Sequence, residues 1–148
     1  KYYHPYWIGM KETPFLIVGG EKKDRVEIIS LLEPILGPTK QYFQCTAIEA
    51  EIIKYMENSF FATKVTFVNE FFDICNVFNA DWHTVREGWL LDDRINKMHT
   101  SVFKKNRGFA GKCYPKDLKE IISASQKKGY EPELLKAVGN TNKKLRNE

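Results

Sequence analysis

The stretch GFAGKCYPKD, residues 108 to 117, places one cysteine between a glycine turn and a proline that can open a helix. Proline suits the first helical position, where its missing N–H has no partner to lose. The following DLKEIISASQKK carries Leu118, Ile121 and Ile122, spacings of 3 and 4 from Leu118, one helical face. Cys113 is therefore expected just before a helix N-terminus, with Pro115 as the first helical residue. Unpaired N–H groups there carry partial positive charge. A thiolate at such a place is stabilised and becomes a better nucleophile at neutral pH. The alternative is a small buried residue in a tight turn. Asp117 falls in the first turn of the same helix, where the helix dipole alone favours a carboxylate. Lys54 and Asn58 lie four residues apart in a helical pattern and share a face. By residue type alone they fit a solvated polar surface.

Stepping outward from these side chains, the elements follow from periodicity. FLIVGG, 15 to 20, reads as a short buried strand stopped by glycines. KKDRVEIISLLEPIL has Val26, Ile29, Leu31, Leu32 and Ile35 in helical phase, and Gly37-Pro38 ends it. QYFQCT, 41 to 46, is a second strand. Strand, helix, strand in so short a span suggests the last part of an α/β unit. From Ala47 to Ala80 there is neither Gly nor Pro. Ile48, Ile52, Tyr55, Phe60, Thr63, Phe67, Phe71, Cys75 and Phe78 recur mostly at steps of 3 or 4, which predicts one amphipathic helix about 50 Å long. Such a stripe is expected to be buried against other helices and a second subunit, so a homodimer is expected. Glu51 and Glu70 fit the surface of this helix. Asp81 can cap the next helix, with Val85, Trp89 and Leu90 inward. A loop-rich connection, DDRINKMHTSVFKKNRGFAGKC, then delivers Cys113, and a connection of that length is often functional. The last helix is expected from about Glu131-Pro132, with Leu134, Leu135 and Val138 inward.

Composition sets the outer limits. The chain has 148 residues, 43% hydrophobic and 28% charged, ordinary for a globular protein with a real core. No run of apolar residues is long enough for a membrane span and no signal-peptide pattern is present, so a cytoplasmic location is expected. Three cysteines, Cys45, Cys75 and Cys113, at wide spacing argue against a disulfide framework and a zinc site. His4, His83 and His99 show no metal-ligand spacing, and His83 is expected to be structural or exposed. The net charge is +4. Basic clusters at Lys104, Lys105 and Arg107 and at Lys143, Lys144 and Arg146 read as solvated surface. No nucleic-acid motif accompanies them, and no nucleic-acid, membrane or metal partner is expected.

Two stretches together, EAEIIKYMENSFFATKVTFVNE at 49 to 70 and GFAGKCYPKD at 108 to 117, resemble the UDP-glucose/GDP-mannose dehydrogenase family. DDRIN at 92 to 96 and AVGNTN at 137 to 142 match it in kind and order. The resemblance implies a mainly α chain: residues 47–148 as a helical dimerisation and catalytic domain built on one long helix. Residues 1–46 would be the C-terminal part of an NAD-binding α/β domain of Rossmann type. It implies oxidation of the primary alcohol of a nucleotide sugar to a carboxylate, with two hydrides passed to NAD. Cys113 would be the nucleophile that holds the aldehyde as a thiohemiacetal. Lys54 and Asn58 match the family's K-x-x-x-N pattern and would face the reacting carbon. Lys54 would stabilise an oxyanion, and Asn58 would orient it or the water. Asp117 would position water or handle a proton, with Lys116 its exposed neighbour. Arg94 would reach the sugar nucleotide across the dimer, and Phe109 and Gly111 would line the sugar site. The chain also departs from the pattern. It contains no G-x-G-x-x-G, so most of the NAD site is expected outside it. Ala110 stands in place of a glycine and Lys112 in place of a common serine. A fragment of a longer enzyme is expected, inactive alone. The alternative is an inactive dimerisation module derived from the family.

Overall fold

A computed structural model describes residues 12–147. The chain divides into two compact units, one ending at Lys54 and the other beginning at Tyr55. The expected first residues of the chain, up to 11, lie outside the described part.

In the first unit, β1 (Phe15–Gly19), α1 (Lys22–Leu36) and β2 (Gln41–Cys45) form a β-α-β unit. The strands pair in parallel, Phe15 opposite Gln41 through Gly19 opposite Cys45. Gly19 is required by packing, because a Cβ there would lie 2.6 Å from Ala50 Cβ. Phe15, Leu31, Ile35 and Phe43 are exposed in this chain. The long helix α2 (Ala47–Val77) opens here. Its entry is a capping box: Thr46 N donates to Glu49 Oε2 at 2.7 Å and Glu49 N donates to Thr46 Oγ1 at 3.3 Å. These bonds to Thr46 hold the Glu49 carboxyl below its ordinary range.

The second unit takes α2 from Tyr55 on, then α3 (Trp82–Trp89), α4 (Cys113–Lys127) and α5 (Glu133–Arg146). α2 ends at Val77, short of the expected Ala80. Asn79 takes the left-handed conformation at φ 54, so Ala80 N reaches back to Cys75 O at 2.8 Å and Asn79 N to Asn76 O at 3.2 Å. That closes the last carbonyls in a Schellman motif, with asparagine in the place glycine usually takes. Asp81 caps α3 as expected, accepting from Thr84 N at 2.7 Å. Trp82 is the buried residue of α3 and Trp89 packs inward as expected, whereas Val85 is exposed. Leu134 of α5 is likewise exposed, while Val138 is buried.

Two apolar clusters make the core of this unit. Ala62, Phe109, Leu118 and Val138 join α2, the connecting loop, α4 and α5, with Tyr114 and Ile122 packed against them. Val68, Phe72, Cys75 and Trp82 join α2 to α3. The buried residues of α2 are thus Ser59, Ala62, Thr66, Val68, Asn69, Phe72 and Cys75. The stripe expected from periodicity divides. Cys75 is buried, but among the described residues Ile48, Ile52, Phe60, Phe67, Phe71 and Phe78 stay largely exposed.

Candidate active site

α4 begins two residues earlier than Pro115 suggests. Cys113 is its first residue, Pro115 its third, and Lys112 precedes it in helical conformation. Pro115 still costs no hydrogen bond, because N–H groups of the first turn have no partner within the helix. Cys113 is exposed, which removes the reading of a small buried residue. Cys45 and Cys75 are buried and unbridged.

Asp117 lies in the second turn, not the first, and is 1% exposed. The helix dipole therefore does not explain it. A buried carboxylate needs hydrogen-bonding or charged partners, and Asp117 has both. Asn58 Nδ2 donates to its Oδ2 at 2.5 Å, and Lys116 Nζ pairs with its Oδ1 at 2.8 Å. Lys116 also pairs with Glu120 at 3.4 Å, and Tyr55 Oη donates to Glu120 Oε2 at 3.0 Å. The hydrogen bond to Asp117, and then the charges of Asp117 and Glu120, hold the Lys116 ammonium above its ordinary range. The bond to Glu120 raises the Tyr55 phenol. α2 and α4 are thus joined by the Asn58 amide on Asp117 and the Tyr55 phenol on Glu120, with Lys116 between the two carboxylates, starting one turn along from the exposed thiol.

The glycine turn before Cys113 is fixed from two sides. Asn142 of α5 accepts from Phe109 N at 2.7 Å and donates to Phe109 O at 3.0 Å. Gly108 has φ 68, and a Cβ there would come within 2.3 Å of Asn142 Oδ1. Asn69 of α2 accepts from Gly108 N at 3.2 Å and from Arg107 Nε at 2.7 Å. Arg107 grips Asp73 with both terminal nitrogens, at 2.9 and 2.8 Å, over the ring of Phe72. Arg107 is accordingly a structural anchor and not part of a solvated basic patch. Sequence reading missed Asn69 and Arg107 as contributors to the site. Asn142 stood within a matched motif but without a role. A polar residue in phase with a helix's buried face was the available signal.

The remaining expected residues take these places. Lys54 stands one helical turn before Asn58 on α2. Phe109 is buried in the core cluster. Gly111 has φ 88 and, with Phe109, Pro115 and Lys119, lines a cavity of about 800 Å³ in the second unit. Arg94 pairs with a local partner, with Nε and Nη2 on the Asp92 carboxylate at 2.9 and 2.6 Å, and its side chain is 88% exposed. His83 is exposed. At the βα turn after β1, Arg25 donates from Nη1 to Gly20 O at 2.9 Å and to Cys45 O at 2.7 Å. Among the described residues no group of three His, Cys, Asp or Glu side chains could hold a metal ion, and no helix is long and apolar enough to cross a membrane.

The second unit is thus a helical domain that sets an exposed cysteine at a helix start, one turn from the contact between half-buried Asn58 and buried Asp117. The profile of the UDP-glucose/GDP-mannose dehydrogenase family, central domain, matches residues 48–144. The chain belongs to this family. It is 42% identical over 94 residues to UDP-glucose 6-dehydrogenase AglM of Haloferax volcanii, covering 64% of this chain and 21% of that protein. It is 30% identical over 129 residues to the UDP-glucose 6-dehydrogenase of Rickettsia felis, covering 86% of this chain and 28% of that one. The solved UDP-glucose dehydrogenase of Pyrobaculum islandicum superposes with a TM-score of 0.77 at 26% identity, over 88% of this chain and 29% of that chain. The mainly helical fold expected from the resemblance is present. The chain spans between a fifth and a third of the length of these relatives.

Proposed function

We propose that this chain is the central part of a nucleotide-sugar 6-dehydrogenase, with residues 47–148 as its catalytic and dimerisation domain and residues 1–46 as the end of an NAD-binding domain. The observation that carries the reading is the 2.5 Å contact of Asn58 with buried Asp117, one turn from exposed Cys113. Cys113 as thiolate adds to the carbonyl carbon of a sugar aldehyde, forming a C–S bond and an oxyanion. The Lys54 ammonium offsets that charge. Oxidation of the adduct gives a thioester. Water, oriented by Asn58 and Asp117, then breaks the C–S bond to release the carboxylate and restore the thiolate. Arg94, Phe109 and Gly111 are assigned to the sugar nucleotide. NAD would accept the hydrides, with most of its site lying outside this chain. A cytoplasmic homodimer, with UDP-glucose as first substrate to try, completes the proposal.

A second reading is an inactive dimerisation module. It is favoured by Ala110 and Lys112 beside the thiol, where the family pattern has glycine and serine. NADH formation by the complete gene product, with UDP-glucose, UDP-N-acetylhexosamines and GDP-mannose, separates the two. Two NADH per sugar with one substrate, abolished by Cys113→Ser, supports the enzyme. No NADH with any sugar leaves the module.

A further inference from the structure

The first turn of α4 is tied to the connecting loop by a contact that the catalytic reading does not use. His99 Nε2 lies 3.1 Å from Tyr114 Oη, and either atom can donate. Tyr114 is the residue after Cys113. The two rings meet edge to face at 5.7 Å, and Phe61 of α2 packs on both, 4.9 Å from His99 and 6.3 Å from Tyr114. Phe109 closes the cluster at 6.4 Å from Tyr114. Burial, with smaller contributions from Cys113 and Glu57, raises the Tyr114 phenol, so it stays a neutral hydrogen-bonding group across the physiological range.

His99 is itself held. Its backbone is left-handed at φ 61, a conformation uncommon outside glycine but tolerated by histidine. The next residue, Thr100, is fully buried. Arg86 of α3 donates from Nε to Thr100 O at 3.0 Å and from Nη2 to Thr100 Oγ1 at 2.8 Å. Thr100 Oγ1 in turn donates to Lys97 O at 2.7 Å. A continuous set of contacts therefore runs from α3 through the loop to the residue beside the thiol.

We infer that His99 is a positioning residue for Cys113, acting through its hydrogen bond to Tyr114 to hold the first turn of α4 in register with α2 and the loop. The inference rests on Cys113 being the nucleophile. Tyr114→Phe removes one oxygen and keeps the ring. His99→Asn tolerates the left-handed backbone but stops short of Tyr114. In the complete gene product, each variant is expected to lower kcat about three- to tenfold, the worth of one net hydrogen bond. KM for the nucleotide sugar and for NAD stays within about twofold, since neither residue is assigned to their binding. The rate of iodoacetamide alkylation at Cys113, followed by mass spectrometry, shifts in both, and the double variant behaves like either single one. Unchanged alkylation in Tyr114→Phe overturns the inference, whatever happens to kcat. Losses that multiply in the double variant overturn it too, because the residues then act separately. If wild type forms no NADH but alkylation shows the shared, non-additive shift, the dehydrogenase reading fails and the positioning role stands.

Discussion

A carboxylate near a helix start usually needs no explanation beyond the helix dipole, and Asp117 shows where that reasoning stops. It is buried, and without partners its charge would be strongly unfavourable. Asn58 and Lys116 supply those partners, and the geometry also fixes two candidate catalytic groups relative to each other. Asn142 is the equivalent case for the backbone. Its amide replaces a peptide, satisfying both the N–H and the C=O of buried Phe109. Asn142→Ala leaves two buried polar groups unmet, so a loss of about 2–4 kcal/mol is expected in chemical denaturation. Asn142→Asp keeps the acceptor but sets an oxygen against Phe109 O, and should be no better. A loss below about 0.5 kcal/mol in the alanine variant would show that water replaces the amide, and that the turn does not depend on α5.

At the scale of elements, α2 is bounded by chemistry at both ends. Thr46 and Glu49 start it, and left-handed Asn79 stops it. Asn79→Gly should hold or raise the melting temperature, since glycine takes φ > 0 without strain. Asn79→Val should cost about 1–2 kcal/mol, because a β-branched side chain is penalised there. Equal stabilities would mean that the stop is set by Asp81 and α3 instead. The connection between α3 and α4 has no helix or strand, yet it is pinned along its length. Lys64 donates to Asn96 O, Arg86 holds Thr100, and Arg107 holds Asp73. Burial lowers the Lys64 ammonium, as expected for a cation drawn toward a packed loop. Side chains from two helices thus replace the missing secondary structure.

At the scale of the molecule, the exposed aromatic face of α2 is the main unexplained surface. Phe60 is 60% exposed and Phe78 77% exposed, with Phe67, Phe71 and Ile74 between them. Fully burying one phenylalanine is worth about 1.5–3 kcal/mol, so several in a row are a strong reason to associate. The second copy of the chain is the occupant proposed for them. Phe67→Glu with Phe71→Glu is expected to shift a dimer to monomer in sedimentation or light scattering, with helix content unchanged. These rings touch each other and Trp89 at the edge of the fold, so the monomer should survive the change. A wild-type monomer would remove the dimer from the proposal.

Local pattern determined much of this chain. Glycine and proline punctuation placed β1, α1 and β2, and an unbroken run of 3 and 4 spacings placed α2, because those signals depend only on neighbours along the chain. The order of K-x-x-x-N before GFAGKCYPKD was enough to reach the family. Pairing across the fold was not accessible in the same way. Which face of α2 turns inward depends on what α4, α5 and the loop present to it, and the phenylalanine stripe gave the wrong answer for the single chain. The helix start at Cys113 rather than Pro115 depends on the preceding turn, which Asn69 and Asn142 hold from distant positions. Periodicity reports that a side chain faces something; only the packed structure decides what that is, because burial is settled by the partner surface and not by the helix alone.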